Sequence, residues 1–145
     1  MKHRILPALL GGLLLTSCGK DKNFPSTPQI TFKSISPLEY HGKTDQLSIV
    51  VGVKDAEGDL GDSVFYRQHI SSDTLPWGSL LMPQGFPKQE NLEGNIILQL
   101  QSQLITLPTN PGVPDTGYFD VFVRDRAGHI SDTIQTDKIL LILDQ

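Results

Sequence analysis

The chain has 145 residues, a formal charge of -4 and a single cysteine, which leaves room for one modest domain and no disulfide within it. The acidic balance removes the electrostatic basis for binding DNA or RNA. With 38% hydrophobic and 19% charged residues, the chain can fill one core and is not a disordered polymer.

Lys2, His3 and Arg4 make a basic start, and Ile5 to Leu15 is an uncharged, mostly apolar run. As a helix that run rises only ~16 Å against a hydrocarbon core of ~30 Å, so it reads as an export signal and not a membrane span. Leu15-Thr16-Ser17-Cys18 follows directly and resembles the bacterial lipobox. The resemblance implies cleavage after residue 17 and acylation of the Cys18 sulfur. A covalent lipid on Cys18 holds the product on a bilayer at ~0.8 kcal/mol per buried methylene. Residues 18–27 are short, polar and carry Pro25, the composition of a tether with nothing to bury. Gly19, where an aspartate would signal retention, implies passage to the outer membrane. The leaflet stays open, because only Asp21 stands between Lys20 and Lys22.

Residues 28–145 read as the folded domain. Leu47, Ile49, Val51 and Val53 alternate with Gln46, Ser48, Gly52 and Lys54, a period of two that puts the first set on one buried face. Further strands are predicted over 29–36, 63–70, 95–105, 118–124 and 133–143, each bounded by Gly, Pro, Asp or Asn. Over 95–105, Ile96, Leu98, Leu100 and Leu104 share one parity while Gln99, Gln101 and Gln103 share the other; a helix would scatter those glutamines. No long helix is required. Six or seven short strands without a βαβ rhythm predict an all-β protein, an antiparallel immunoglobulin-like β-sandwich of about seven strands.

Two stretches carry a family resemblance. Val53-Lys54-Asp55-Ala56-Glu57-Gly58-Asp59-Leu60-Gly61 and Val121-Phe122-Val123-Arg124-Asp125-Arg126-Ala127-Gly128-His129-Ile130-Ser131 resemble strand ends of the immunoglobulin-like or fibronectin III-like modules of bacterial surface lipoproteins, of the Bacteroidota type. Asp115-Thr116-Gly117-Tyr118-Phe119 resembles the start of the penultimate immunoglobulin strand. By that likeness Phe119 stands at the tyrosine-corner position and Val121 at the disulfide cysteine. The core is therefore expected to hold by packing alone.

In the topology that the resemblance implies, the loops after the second and penultimate strands share a pole, bringing Asp55, Glu57, Asp59, Asp62 and Asp125 together. Two readings stand. Three or four such carboxylates suit calcium, which takes ~6–8 oxygen ligands, and a metal there would stiffen the module next to its anchor. Asp and Gly are equally turn formers in their own right, and the twelve-residue calcium-loop pattern is incomplete. No cofactor is required by any motif beyond the covalent lipid and this optional calcium.

Trp77 and Phe86 lie in a long, proline-punctuated connection over 73–93. Exposed, they would contact a protein or glycan; buried, they would cover an open sheet edge. Catalysis finds little support: His41, His69 and His129 are isolated, without zinc-ligand spacing, and no Gly-x-Ser-x-Gly elbow occurs. The expectation is a non-enzymatic lipoprotein of the cell envelope, an accessory subunit of an outer-membrane assembly, or alternatively an adhesion or glycan-binding module.

Overall fold

Alternation along two strands decides which surfaces meet. The computed structural model describes residues 24–42, 46–71, 73–82 and 88–144; the segment expected to be an export signal, Cys18 and Phe86 lie outside the described residues. Ten strands follow one another: β1 (Gln29–Ser36), β2 (Glu39–Tyr40), β3 (Leu47–Asp55), β4 (Leu60–Ile70), β5 (Asp73–Thr74), β6 (Gly78–Leu81), β7 (Leu92–Leu100), β8 (Asp115–Asp125), β9 (Ile134–Gln135) and β10 (Ile139–Leu141). One sheet has the order β1-β3-β7, and the other runs β2-β10-β8-β4-β5, with β6 also on β4 and β9 on β8. The order β1-β3-β7 against β10-β8-β4 is the A-B-E and G-F-C arrangement of an immunoglobulin-like Greek key. The all-β sandwich expected from the sequence is the observed fold.

From β3, Leu47, Ile49, Val51 and Val53 are buried, and from β8, Phe119, Val121 and Val123. With Val64 and Tyr66 of β4 and Leu98 and Leu100 of β7 they join one core cluster. The positions assigned to the tyrosine corner and the disulfide cysteine are fully enclosed apolar side chains.

Several sequence expectations need correction. The described residues hold ten strands where about seven were expected, because β2, β5, β6 and β9 are short edge pieces. The strand predicted over 95–105 ends at Leu100, whose partner Leu47 is the first residue of β3. With no further neighbour to pair, the chain turns through one 3-10 segment, Ser102–Leu104, and Leu104 is exposed instead of sharing the buried parity. The strand predicted over 133–143 splits into β9 and β10. Side-chain hydroxyls stand in for strand pairing on either side of β9: the Phe119 amide donates to Thr136 Oγ1 at 3.0 Å and the Val123 amide to Ser131 Oγ at 3.0 Å.

A buried side-chain amide on β4 is satisfied in the same manner. Gln68 points into the core, yet its Nε2 donates to the Thr106 carbonyl and its Oε1 accepts the Thr106 amide, both at 2.8 Å. This pair fastens the segment after β7 to β4. Replacing Ser131→Ala would strand the buried Val123 amide, so denaturant unfolding should show a loss of roughly 1–3 kcal/mol with unchanged m-value.

Candidate functional site

Pairing brings the ends of β3, β4 and β8 to one pole. Asp55 closes β3 opposite Leu92, and Leu60, the first residue of β4, pairs with Asp125. The loop between Asp55 and Leu60 therefore abuts the turn after Asp125, where the Arg126 amide donates to the Asp59 carbonyl at 2.9 Å. Gly58 makes that loop possible. Its φ is +58°, and a Cβ there would lie 1.8 Å from the Gln89 carbonyl oxygen, which only glycine avoids. The chain also enters the sandwich at this pole, because the Ala56 amide donates to the Pro25 carbonyl at 2.9 Å.

Of the acidic residues grouped from sequence, the structure gathers Asp55, Asp59 and Asp125, one ligand oxygen of each lying within 4.8 Å of the others. Asp55 is 0% exposed and Asp125 3%. Asp55 Oδ2 accepts the Asp59 amide at 3.0 Å, whereas Asp55 Oδ1, Asp59 Oδ1 and Glu57 Oε2 are buried without a hydrogen-bond partner. Asp125 accepts the His129 amide at 2.7 Å, and its other oxygen lies 2.7 Å from His129 Nδ1. Among the described residues no lysine or arginine forms an ion pair with Asp55, Asp59 or Asp125. Burial pushes the Asp55 carboxyl above the ordinary aspartate range. Amide hydrogen bonds from Asp59 and Gly58 offset this in part, and the Asp59 and Glu57 charges add to it. Asp62 does not join the group: its side chain is 88% exposed and lies 4.0 Å from Arg126.

A second feature covers the outer face of β4 and β8. The cross-strand pairs Phe65–Phe122, Arg67–Asp120 and His69–Tyr118 form a ladder of like contacts. Phe65 and Phe122 stack with centroids 4.6 Å apart, and His69 and Tyr118 at 4.4 Å. Trp77 meets Phe122 edge-on at 4.8 Å. Arg67 lies 4.7 Å over Trp77, and Arg124 lies 5.6 Å over Phe65. The segment around Trp77 adds β5 and β6 to the edge of β4, as the covering reading expects, but the indole itself is not buried there and stays 40% exposed. Sequence reasoning singled out Trp77 and missed the rest of the ladder. Its signal was present in the other parity of the two strands, Phe65, Arg67 and His69 against Tyr118, Asp120, Phe122 and Arg124.

The histidines are not isolated in space. His41 pairs with Asp144 at 2.8 Å, His129 with Asp125, and His69 with Asp120 at 2.8 Å. Thr74 Oγ1 lies 3.0 Å from His69 Nδ1, so Thr74, His69 and Asp120 follow one another in the order of a nucleophile, a base and its orienting acid. An acyl-transfer site also needs amide donors for the oxyanion. Here the Thr74 amide donates to Asp73 Oδ1 and the Leu75 amide to the Gln68 carbonyl, so neither is open. Asp120 is shared further, with Arg67 Nε at 2.9 Å and Gln135 Nε2 at 3.4 Å. Burial alone would raise its carboxyl, but the hydrogen bonds from His69, Arg67 and Gln135 outweigh burial and hold it below the usual range. A carboxyl depressed on folding stabilises above its unfolded value of ~3.9 and loses that contribution as pH falls through the lower folded value. Asp120→Asn should therefore destabilise by roughly 1–3 kcal/mol at pH 7. In chemical denaturation the gap from the parent chain should close as pH falls below about 4.

No family model matches the chain, and no curated protein matches it in sequence. Among solved structures it is similar to the sporulation control protein Spo0M of Bacillus subtilis, with 12% identity, a TM-score of 0.42, and coverage of 82% of this chain and 50% of that one. It thus spans about half of Spo0M. It is also similar to an ApaA protein of Bordetella pertussis, at 10% identity and TM-score 0.38, covering 83% and 96%. A third likeness is to a CARDB domain of Pyrococcus furiosus, determined in complex with di-metal ions, at 14% identity and TM-score 0.35, covering 85% and 100%. These are distant likenesses in fold alone.

Proposed function

We propose that the chain is a non-enzymatic lipoprotein of the bacterial cell envelope, anchored through an acylated Cys18, and that it is an accessory subunit of an outer-membrane assembly. Its sandwich works by touching a protein partner through the outer face of β4 and β8. The observation that carries this reading is the ladder of Arg124, Phe65, Phe122, Trp77 and Arg67. Tryptophan, tyrosine and arginine dominate the binding energy of protein interfaces, and here they are held in place by stacking before any partner arrives, which lowers the ordering cost of association. The engaged amides around Thr74 support a role without acyl-transfer chemistry. The basic start, the short apolar run and Leu15-Thr16-Ser17-Cys18 support the anchor.

A glycan-binding reading has one observation in its favour: an open, polar groove of about 700 Å³ beside the ladder, lined by His69, Ser71, Asp73, Thr74 and Tyr118. Polar groups next to an aromatic face suit a sugar ring. The two readings separate on binding by the full chain to a glycan array, which only the second predicts.

Crosslinking in native membranes followed by pull-down should recover one protein in stoichiometric amount. Trp77→Ala should keep the parent's melting temperature to within a few degrees, yet weaken that contact by roughly 30-fold, the equivalent of a ~2 kcal/mol hot spot. A crosslinking pattern indifferent to Trp77 would overturn the face assignment. The anchor is tested separately: Cys18→Ser should shift the chain from the membrane to the soluble fraction and abolish the added acyl mass.

A further inference from the structure

We propose that Asp55, Asp59 and Asp125 bind one calcium ion at the pole where the chain enters the sandwich. The proposal is independent of the contact face. The clustering of three carboxylates would not carry it alone, since acidic turns are common. What carries it is the state of their oxygens. Asp55 is fully enclosed, and its Oδ2 accepts the Asp59 amide. Its Oδ1 is shut off from water among other carboxylates with nothing to accept from, and Asp59 Oδ1 and Glu57 Oε2 are buried in the same condition. A buried anionic oxygen without a donor is among the least tolerable groups in a folded protein. Hydrogen bonds elsewhere on this fold are well arranged, down to the Gln68–Thr106 pair, so one pole with three such oxygens calls for a missing positive partner.

The chemistry of the donors selects the ion. Every available ligand atom is a hard carboxylate oxygen, which suits calcium or magnesium and gives zinc no thiolate. The nearby imidazole is already turned onto Asp125. Calcium holds oxygens at ~2.3–2.6 Å, so two ligands on opposite sides of the ion stand up to ~5 Å apart. Oxygens that all lie within 4.8 Å of one another stand no farther apart than ligands of one calcium ion. Magnesium needs an ideal octahedron at ~2.0–2.1 Å and keeps several waters, which a part-buried set of protein carboxylates serves poorly.

The consequence is mechanical. Asp55 ends β3, Asp59 leads into β4 and Asp125 ends β8, so a single ion would tie strands of both sheets together. The loop it fixes also holds the entering chain, through Ala56 to Pro25, and the segment before β7, through Ala56 to Asn91 at 2.8 Å.

The test uses the full chain in detergent, stripped of metal with a chelator, and equilibrium dialysis against calcium alone. One bound calcium per chain is expected, with a melting temperature raised by roughly 5–10 °C at saturation. Asp59→Asn should weaken binding by roughly 10-fold or more, because ligand charge sets affinity in such sites. Without metal that variant should melt no lower than the parent, since it removes a like charge. Asp62→Asn, at an exposed carboxylate outside the cluster, should bind as the parent does. Absence of bound calcium on the parent chain at about 5 mM, above the ~0.1–1 mM range of the weakest folded calcium modules, would overturn the proposal whether or not any variant folds. So would an Asp59→Asn chain that binds like the parent, or an Asp62→Asn chain that loses as much. A magnesium response equal to that of calcium would overturn the choice of ion.

Discussion

Burial of one stripe of apolar side chains between two sheets is the interaction on which the described structure depends. The strands β3 and β8 face each other across it, with Leu47, Ile49 and Val51 on one side and Phe119, Val121 and Val123 on the other, all inaccessible to solvent. The chain has no second cysteine to bridge the sheets. A native disulfide is worth ~2–5 kcal/mol, whereas each fully buried Val, Leu, Ile or Phe side chain contributes ~1.5–3 kcal/mol. Two such residues offset the missing bridge, and Val121 and Phe119 are both fully buried members of the cluster. Packing alone is a sufficient account of why the sheets stay together.

That constraint determines the outer surface as well. Once odd-numbered residues of β8 from Phe119 to Val123 face inward, Tyr118, Asp120, Phe122 and Arg124 must face outward. The register with β4 then leaves no freedom in what they meet: Phe122 meets Phe65, Asp120 meets Arg67, Tyr118 meets His69. A slip of one residue would turn Arg67 and Asp120 into the apolar core and expose Val121. The ladder is thus held by the same energy that closes the core. It adds its own smaller contribution of stacking and charge pairing across the strands.

Where local pattern and tertiary pairing agreed, the sequence was readable. The strand over 29–36 appears with those bounds, and the alternation over 47–53 is the centre of β3, since both depend on a period of two that the chain states directly. Where pairing overrode pattern, it was not. Leu104 continues the parity of Ile96, Leu98 and Leu100, but β3 offers no partner beyond Leu47, and parity without a neighbour does not make a strand. Ser131 and Thr136 look like ordinary turn residues; only the gaps on either side of the short β8–β9 pairing show that their hydroxyls complete the hydrogen bonding of β8. In the acidic group, the convergence of Asp55, Asp59 and Asp125 followed from the expected topology. The exclusion of Asp62 did not, because it depends on which way a side chain leaves the first turn of β4.

The contact face and the acidic pole meet at two consecutive residues. Arg124 points outward over Phe65, and Asp125 turns in beside Asp55 and Asp59; the alternation of a strand sends neighbours to opposite sides. Gly61 lets the backbones approach here, since a Cβ on it would lie 2.6 Å from the Arg124 carbonyl. Asp125 is further bound at its amide by the His129 carbonyl and at its carboxylate by the His129 amide. The end of β8 is therefore fixed on both faces by contacts that differ in kind, stacked and cationic outside, anionic and buried inside. A change that loosens the pole would release the backbone that carries Arg124, whereas removing an outer ring such as Trp77 leaves the pole's hydrogen bonds in place.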